Sequence, residues 1–273
     1  MTCVFAYVIF FVYLCTPRVI STFVAMIPKI IHYCWFGGKP MPALEQKCVA
    51  TWHDHMPDWQ YMQWDESNFD IANAPLYVRQ AYEAKKFAFV SDYVRLWALD
   101  QFGGVYVDTD VEVLRSYEQL LTDVAFIGLE ESKAHLPGTC VMGCEPHCRW
   151  VKDMLAAYDG VSFLRPDGSL DLTTNVQRLG EKMLAAGLHQ ENGDKPWKNE
   201  QYIEQWGLRV YTHDYFSPIT STRVMRKTAN TYSIHHFAGS WMDGKKNRAW
   251  RNWTLTREII NALVHLKRLC APS

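Results

Sequence analysis

The sequence lacks an excess of charge of either sign. Its 28 lysine and arginine residues are balanced by 29 aspartate and glutamate residues, which leaves a formal net charge of −1. A general nucleic-acid-binding protein needs a basic excess to neutralise phosphates, so the balance predicts no nucleic-acid partner. Hydrophobic residues make up 48% of the 273 residues and charged residues 21%. This mixture is typical of a globular protein with a substantial core.

The sequence also lacks the paired Cys-x-x-Cys spacing of a structural zinc site. Eight cysteines are scattered along the chain, and a chain of this size does not need disulfides to fold. The tightest group is Cys140, Cys144 and Cys148, where Gly143 and Pro146 interrupt any helix that would align the three thiols. We therefore predict reduced thiols and no zinc site in this group.

A hydrophobic run long enough to cross a membrane is missing from the start of the chain. The uncharged run at 3–15 has thirteen residues, and a proline and an arginine follow it within three residues. This is too short for a transmembrane helix, and no basic n-region precedes it as in a signal peptide. Two interpretations stay open: residues 1–25 form a short membrane anchor, or they precede a functional start at Met26, which we favour. The working domain is then 26–273.

The rest of the chain alternates between short β-rich runs and helical patterns. This alternation, without internal repeats, predicts one domain with an α/β fold. Strands are predicted at 29–34, 59–64, 105–108, 125–129, 139–143, 208–211 and 232–236. Helices are predicted at 43–52, 76–85, 89–102, 148–158, 174–186 and 255–269.

Two aspartates follow a short hydrophobic strand near the middle of the chain. Apolar residues recur at helical spacing over 90–98, and Gly103 and Gly104 supply the glycine stop that ends such a helix. The strand that follows ends at Asp108 and Asp110. Ligands of open α/β sheets collect beyond the carboxyl ends of strands, so these carboxylates lie where a binding site is expected.

Asp108 and Asp110 are suited to holding a divalent cation. Two carboxylates separated by one residue can face one point, and oxygen ligands suit Mg²⁺ or Mn²⁺. Such an ion would stabilise the charge that develops on a departing diphosphate. An aspartate-capped turn is the alternative, because turns are rich in this residue. Asp92 and Arg95, three residues apart on the neighbouring apolar helix, favour the site.

Three segments together carry motifs in an order and spacing shared with a known enzyme family. They are residues 27–38 (IPKIIHYCWFGG), residues 91–110 with Ser91-Asp92-x-x-Arg95, Gly103-Gly104-Val105-Tyr106 and Asp108-Thr109-Asp110, and residues 235–241 (HHFAGSW). They resemble glycosyltransferase family 32, which carries a DXD motif. The family includes fungal initiating mannosyltransferases and bacterial capsule and lipopolysaccharide transferases.

The resemblance implies a GT-A fold with a mixed, mainly parallel central sheet. It also implies a retaining glycosyltransferase that uses a nucleotide-diphosphate sugar as donor and Mn²⁺ or Mg²⁺ as cofactor. The acceptor would be a glycan or lipid-linked molecule in surface-polysaccharide assembly, such as that of a capsule. We expect a cytoplasmic protein or one associated with the cytoplasmic face of a membrane, and a lumenal placement stays open.

The family's motifs imply a role for each matching residue of the donor site. Trp35 would stack on the donor base, Asp92 would bind sugar or ribose hydroxyls, and Arg95 would contact the sugar and diphosphate. Ser240 and Trp241 would close over the diphosphate. The donor-binding residues are then Trp35, Asp92, Arg95, Tyr106, Asp108, Ser240 and Trp241, and the catalytic residues are Asp92, Arg95 and Trp241.

The resemblance also implies the metal ligands. Asp108 and Asp110 would hold the ion, with Asp110 the more direct ligand. His235 or His236 would supply a late ligand, as in other GT-A enzymes. Neighbouring residues of a strand point to opposite faces, so only one of these histidines should face the metal.

Two segments bear on the acceptor. Leu-Thr-Thr-Asn at 172–175 replaces the family's more common Gly-Pro-containing segment in the region that binds acceptors. Four basic residues between 245 and 251 could attract the diphosphate or an anionic surface that presents a lipid-linked acceptor. Peripheral membrane contact is therefore an open expectation.

Two other functions stay open at this point. A phosphohydrolase with an aspartyl nucleophile also uses a hydrophobic strand ending in DxD. That motif normally continues with Thr or Val two residues after the second aspartate, where Glu112 stands here. A non-catalytic carbohydrate-binding protein would account for the 11 tryptophans but has no use for the charged residues at 92, 95, 108 and 110.

Overall fold

A computed structural model describes residues 27–130, 137–189, 199–219 and 224–239 of the chain. The predicted segment 1–25, the predicted helix 255–269, Ser240 and Trp241 lie outside the described residues. Across the described ranges, none of the helices combines the length and the apolar character needed to span a lipid bilayer.

The described residues form nine strands and five α-helices. The strands are β1 (Ile30–Cys34), β2 (Gln60–Trp64), β3 (Gly104–Val107), β4 (Val111–Val113), β5 (Ala125–Leu129), β6 (Pro137–Cys144), β7 (Gln201–Ile203), β8 (Leu208–Tyr211) and β9 (Ser233–His235). The helices are α1 (Ala43–His55), α2 (Leu76–Glu83), α3 (Phe87–Phe102), α4 (Arg149–Leu155) and α5 (Asn175–Ala185). Every strand and helix predicted within these ranges is confirmed. The three-residue strands β4 and β7 were not predicted, because so short a strand shows no alternation.

Seven strands form one central sheet in the order β2-β1-β3-β6-β5-β8-β7. β1 is parallel to β2 and β3, and β5 is parallel to β8. β6 lies between β3 and β5 and is antiparallel to both, and β7 is antiparallel to β8. Five of the seven strands therefore run in one direction. The predicted α/β class with a mixed, mainly parallel sheet is confirmed.

The two faces of the sheet carry separate hydrophobic clusters because alternate strand residues point to opposite sides. Tyr106 of β3 belongs to the cluster that packs under α2, α3, α4 and α5. Its neighbours Val105 and Val107 belong to a second cluster, which includes Trp52 of α1 and Val111 of β4. The carboxyl end of β3 therefore lies between two buried layers, which hold its position.

The connection from α3 to β3 depends on two glycines. Gly103 and Gly104 have φ angles of +62° and +93°, values that residues other than glycine rarely adopt. A Cβ added to Gly104 would lie 2.7 Å from the carbonyl oxygen of Ile30. The predicted glycine stop is thus confirmed, and it lets β3 begin directly beside β1.

Candidate active site

Trp35 and Asp108 lie at the same edge of the central sheet. Each follows the last residue of a strand, and the two strands, β1 and β3, are parallel neighbours. Trp35 is half-buried, and its indole N–H donates a hydrogen bond to the carbonyl oxygen of Lys39 at 2.6 Å. The sequence prediction that a site forms beyond the carboxyl ends of these strands is consistent with this placement.

A tight turn connects the two aspartates of the DXD motif to β4. The Asp108 N–H donates to the carbonyl oxygen of Cys140 at 2.8 Å, and the Val111 N–H donates to the carbonyl oxygen of Asp108 at 3.0 Å. Asp110 Oδ2 accepts a hydrogen bond from the Ala238 N–H at 2.7 Å. The turn is therefore tied to β6 on one side and to the segment after β9 on the other.

Of the two late histidines, His235 lies beside the acidic pair. β4 and β9 are antiparallel and place His235 opposite Val111, next to Asp110. His235 Nε2 lies 3.5 Å from Asp110 Oδ1. His236 instead places its Nε2 2.9 Å from Glu112 Oε2. Because neighbouring residues of a strand point to opposite faces, the structure brings only His235 to Asp110, and His236, also predicted as a metal ligand, faces Glu112 instead.

Asp108, Asp110 and His235 fit a divalent cation. One ligand atom from each residue lies within 4.8 Å of the other two. Burial and the charge of Asp110 raise the pKa of Asp108, although Arg95 opposes the shift. Burial alone would raise the pKa of Asp110, but His235 outweighs it and holds that pKa below its ordinary value. Two oxygen ligands and one nitrogen ligand around one point suit Mn²⁺ or Mg²⁺ with positions left for a diphosphate.

Arg95 links the acidic turn to helix α3. Its Nη1 lies 3.3 Å from Asp108 Oδ1, and its Nη2 lies 3.2 Å from Asp92 Oδ1. The guanidinium group also donates from Nη1 to the carbonyl oxygen of Thr139 at 2.8 Å and from Nε to that of Ser91 at 3.2 Å. The side chain is only 6% exposed. Arg95 is therefore a buried fork that fixes two carboxylates relative to each other.

Tyr106 is buried beneath the acidic turn. Its hydroxyl donates a hydrogen bond to Asp108 Oδ1 at 2.9 Å, and the Arg95 guanidinium lies 4.5 Å from its ring centroid. Only 2% of the residue is exposed. Tyr106, which the sequence resemblance implied as a donor-binding residue, therefore contacts Asp108. Asp108 itself lies at the carboxyl edge of the sheet.

Asp92 is held from both sides. Arg95 contacts one carboxylate oxygen, and the backbone N–H of Asn175 donates to the other at 3.0 Å. Thr174 caps helix α5 immediately before Asn175 with a reciprocal capping box. The segment that departs from the family pattern is thus in direct contact with Asp92.

Three residues that support the site were not predicted as site residues from the sequence. Thr139 accepts hydrogen bonds from Arg95, Glu130 Oε1 lies 3.1 Å from His235 Nδ1, and Asn175 contacts Asp92. None of them belongs to a recognisable motif, and each lies far along the chain from its partner. Only the pairing of β3, β5 and β6 brings Thr139 and Glu130 to the site.

The cysteine group at 140–148 is divided by the fold. Cys140, Cys144 and Cys148 are buried and free of disulfide bonds. Cys140 lies with Glu130 and His235, whereas Cys144 pairs with Gly104 at the opposite end of β3. The three thiols therefore do not share one site.

Part of the chain that carries these residues matches a known family. Residues 42–127 match the family described as glycosyltransferase sugar-binding region containing DXD motif. The matched region includes Asp92, Arg95, Asp108 and Asp110.

Curated relatives match over parts of the chain. Inositol phosphoceramide mannosyltransferase 3 of Schizosaccharomyces pombe is 32% identical over 38% of this chain and 30% of its own length. Inositol phosphoceramide mannosyltransferase 1 of the same organism is 29% identical over 37% and 33%. Glucan organizing enzyme 1 of Cryptococcus neoformans is 23% identical over 49% and 44%. The chain thus spans less than half of the length of these relatives.

Solved structures show a partial likeness. The PaToxG glycosyltransferase is 17% identical with a TM-score of 0.45, over 59% of this chain and 72% of that chain. The ligand-free glycosyltransferase domain of the YGT toxin is 13% identical with a TM-score of 0.32, over 61% and 70%.

The family match includes one of the three segments from which the sequence resemblance was drawn, residues 91–110. The matched region ends within β5, and the glycine stop, β3 and the acidic turn all lie inside it. The resemblance to the DXD-containing glycosyltransferases that the sequence predicted is therefore confirmed for the matched region.

Proposed function

We propose that this chain is a metal-dependent, retaining glycosyltransferase of the GT-A type. It would transfer a sugar from a nucleotide-diphosphate sugar to a glycan or lipid-linked acceptor. The observation that carries the proposal is the convergence of Asp108, Asp110 and His235 at the carboxyl edge of the sheet, within 4.8 Å of one another. Arg95 ties this cluster to Asp92, which the family motif assigns to the donor sugar.

The metal would be held by Asp108, Asp110 and His235. A divalent cation bound there would neutralise the charge that develops on the leaving diphosphate. Trp35, at the end of the neighbouring strand, would stack on the donor base. Ser240 and Trp241 stay predicted contacts of the diphosphate, and they follow directly on the segment that is hydrogen-bonded to Asp110.

Asp92 would bind sugar hydroxyls from a fixed position. Its carboxylate is held by Arg95 and Asn175 and keeps 14% of its side chain exposed. A carboxylate held in advance loses little conformational entropy when it accepts hydrogen bonds from a sugar. Arg95 fixes the distance between the sugar-binding Asp92 and the metal-binding Asp108. Its direct contact with the donor stays a prediction.

The named relatives suggest a donor and an acceptor to test first. Two of them are mannosyltransferases named for a phosphoceramide acceptor. A mannose donor and a lipid-linked acceptor are therefore the first choices for this chain. Surface-polysaccharide assembly and association with the cytoplasmic face of a membrane stay predictions.

The test is a screen of UDP- and GDP-sugars for slow donor hydrolysis, which needs no acceptor. We expect Mn²⁺-dependent release of sugar and nucleoside diphosphate, and the first-formed anomer of the sugar should retain the donor's configuration. Asp110→Asn should lower turnover by about a hundredfold or more. Asp70→Asn, at an exposed aspartate in the loop after β2, is the matched control.

Three results would contradict the proposal. Full turnover in EDTA would show that the reaction does not need a metal ion. Release of inorganic phosphate instead of nucleoside diphosphate would favour the phosphohydrolase alternative. Binding of sugars without any turnover across the screen would favour the non-catalytic carbohydrate-binding alternative.

A further inference from the structure

We propose that Glu130 is a positioning residue that decides which ring nitrogen of His235 faces the proposed metal ion. Glu130 follows β5, whereas His235 ends β9, and Glu130 lies outside the matched region 42–127. The inference rests on the proposed function, because it concerns the ion that Asp108 and Asp110 would hold.

The imidazole of His235 lies between two carboxylates. Its Nδ1 lies 3.1 Å from Glu130 Oε1, and its Nε2 lies 3.5 Å from Asp110 Oδ1. The side chains of His235 and Glu130 are 13% and 17% exposed, so little water competes for the contact. The ring of Phe237 lies against the imidazole with centroids 3.9 Å apart, which restricts its rotation.

The direction of the hydrogen bond follows from the chemistry of the two groups. An ionised carboxylate can only accept hydrogen bonds, so His235 Nδ1 must carry the proton of this contact. A metal ion binds only the neutral imidazole, and in that form the lone pair is on Nε2, the nitrogen that faces Asp110. A metal-binding histidine whose other ring nitrogen donates to a carboxylate is more basic and is fixed in orientation.

The nearby thiol of Cys140 explains why a hydrogen-bond acceptor is needed at position 130. This thiol belongs to the same cluster as Glu130 and His235, with ligand atoms within 4.8 Å of one another, and Cys140 is 2% exposed. A buried thiol keeps its proton near neutral pH and can donate it to an imidazole nitrogen. Without Glu130, a thiol donating to Nδ1 would leave the proton on Nε2 and block the metal-facing lone pair.

The test measures Mn²⁺ binding directly, without turnover. Free Mn²⁺ is quantified by its electron paramagnetic resonance signal as the purified chain is titrated, with and without nucleoside diphosphate. Glu130→Met keeps the length of the side chain but removes the acceptor, and we expect affinity to fall by about 10- to 100-fold. Glu130→Gln keeps an acceptor oxygen and should bind close to the wild-type chain. Melting temperatures separate loss of binding from loss of folding.

A second substitution tests the role assigned to the thiol. In Glu130→Met combined with Cys140→Ala, no donor competes at Nδ1, so part of the lost Mn²⁺ affinity should return. A merely structural role for Glu130 predicts the opposite, because a second buried substitution would weaken the fold further.

The outcomes are distinguishable from failure of the proposed function. If the wild-type chain binds Mn²⁺ and Asp110→Asn abolishes it, the metal site stands, and unchanged affinity in Glu130→Met would then overturn only the role of Glu130. Equal losses in Glu130→Met and Glu130→Gln would also overturn it. Zn²⁺ binding that survives Asp110→Asn but is lost in Cys140→Ala would show that His235 Nδ1 and the Cys140 thiolate bind a metal together. That result would also overturn the role of Glu130. No Mn²⁺ binding by the wild-type chain would remove the proposed metal site together with this inference.

Discussion

Asp92 and Asn175 are joined by two hydrogen bonds at the first turn of α5. The backbone N–H of Asn175 donates to Asp92 Oδ2 at 3.0 Å, and its side-chain amide donates to the Asp92 carbonyl oxygen at 3.2 Å. The N–H groups at a helix N-terminus have no partner within the helix and favour a negative charge. Helix α5 therefore holds the carboxylate that the proposed reaction uses to bind the sugar.

We predict that removing the Asn175 backbone N–H impairs turnover. Proline is tolerated at the first position of a helix, and the extended backbone of Thr174 is compatible with a following proline. Asn175→Pro removes both hydrogen bonds to Asp92, whereas Asn175→Ala removes only the side-chain bond. Donor hydrolysis should be about tenfold slower in the proline variant than in the alanine variant. Equal rates in two folded variants would show that the N–H does not matter.

We predict that a lysine cannot replace Arg95. The arginine contacts Asp92, Asp108 and Thr139 from one planar group, and a lysine ammonium cannot span these positions. Arg95→Lys keeps the charge but should lower donor hydrolysis by about a hundredfold, which corresponds to about 3 kcal/mol of lost stabilisation. Arg165→Lys, at a half-exposed ion pair with Asp171, is the matched control. Near-normal turnover in Arg95→Lys would mean that charge alone is needed.

The acidic turn could be predicted from the sequence because its signals are local. An apolar helix, two glycines, a hydrophobic strand and two aspartates follow one another within 25 residues, and each carries a periodicity or backbone preference of its own. The two glycines end α3, and the strand after them places Asp108 at the sheet edge.

The supports of the site could not be predicted, because they depend on tertiary pairing. Glu130 reaches His235 only through the sheet order that places β5 beside β6, and Asn175 reaches Asp92 only through the packing of α5 against α3. The choice between His235 and His236 depends on the register of β9 against β4, and neither strand is long enough to show its register in sequence. The sequence resemblance implied that Arg95 contacts the donor. In the structure, its guanidinium N–H groups donate hydrogen bonds to backbone carbonyl groups of the protein.

We predict that Tyr106→Phe weakens the metal site while the fold is maintained. The substitution removes only the hydroxyl that donates to Asp108 Oδ1 and keeps the ring that packs under α3. Mn²⁺ affinity should fall by about tenfold, because Asp108 loses a hydrogen bond that holds it in place. Tyr82→Phe, on α2 away from the acidic turn, controls for the loss of a tyrosine hydroxyl. Unchanged Mn²⁺ binding would show that Arg95 alone fixes Asp108.

We predict that the buried His32 in β1 makes the stability of the fold depend on pH. The Trp64 indole N–H donates to its Nδ1 at 3.2 Å, so Nδ1 must be an acceptor. Its Nε2 lies 2.8 Å from the carbonyl oxygen of Gly103 and must be the donor. The imidazole is therefore neutral in the folded chain, and a second proton would oppose the indole N–H. Burial, only partly opposed by the hydrogen bond to Gly103, lowers the pKa of His32 from 6.5 to about 4.

This shift makes stability depend on pH with a definite sign. Between pH 6.5 and about 4, the unfolded chain binds a proton at His32 that the folded chain does not, so its contribution to stability falls as the pH is lowered. The loss should reach about 3 kcal/mol near pH 4 and should not grow further below it. His32→Gln keeps a donor toward Gly103 and does not titrate. Denaturant unfolding at several pH values should therefore show the wild-type chain losing about that much more than this variant. His55→Gln, at an exposed histidine of α1, is the matched control. Parallel pH profiles for the wild-type and His32→Gln chains would contradict the assignment of a neutral, buried imidazole.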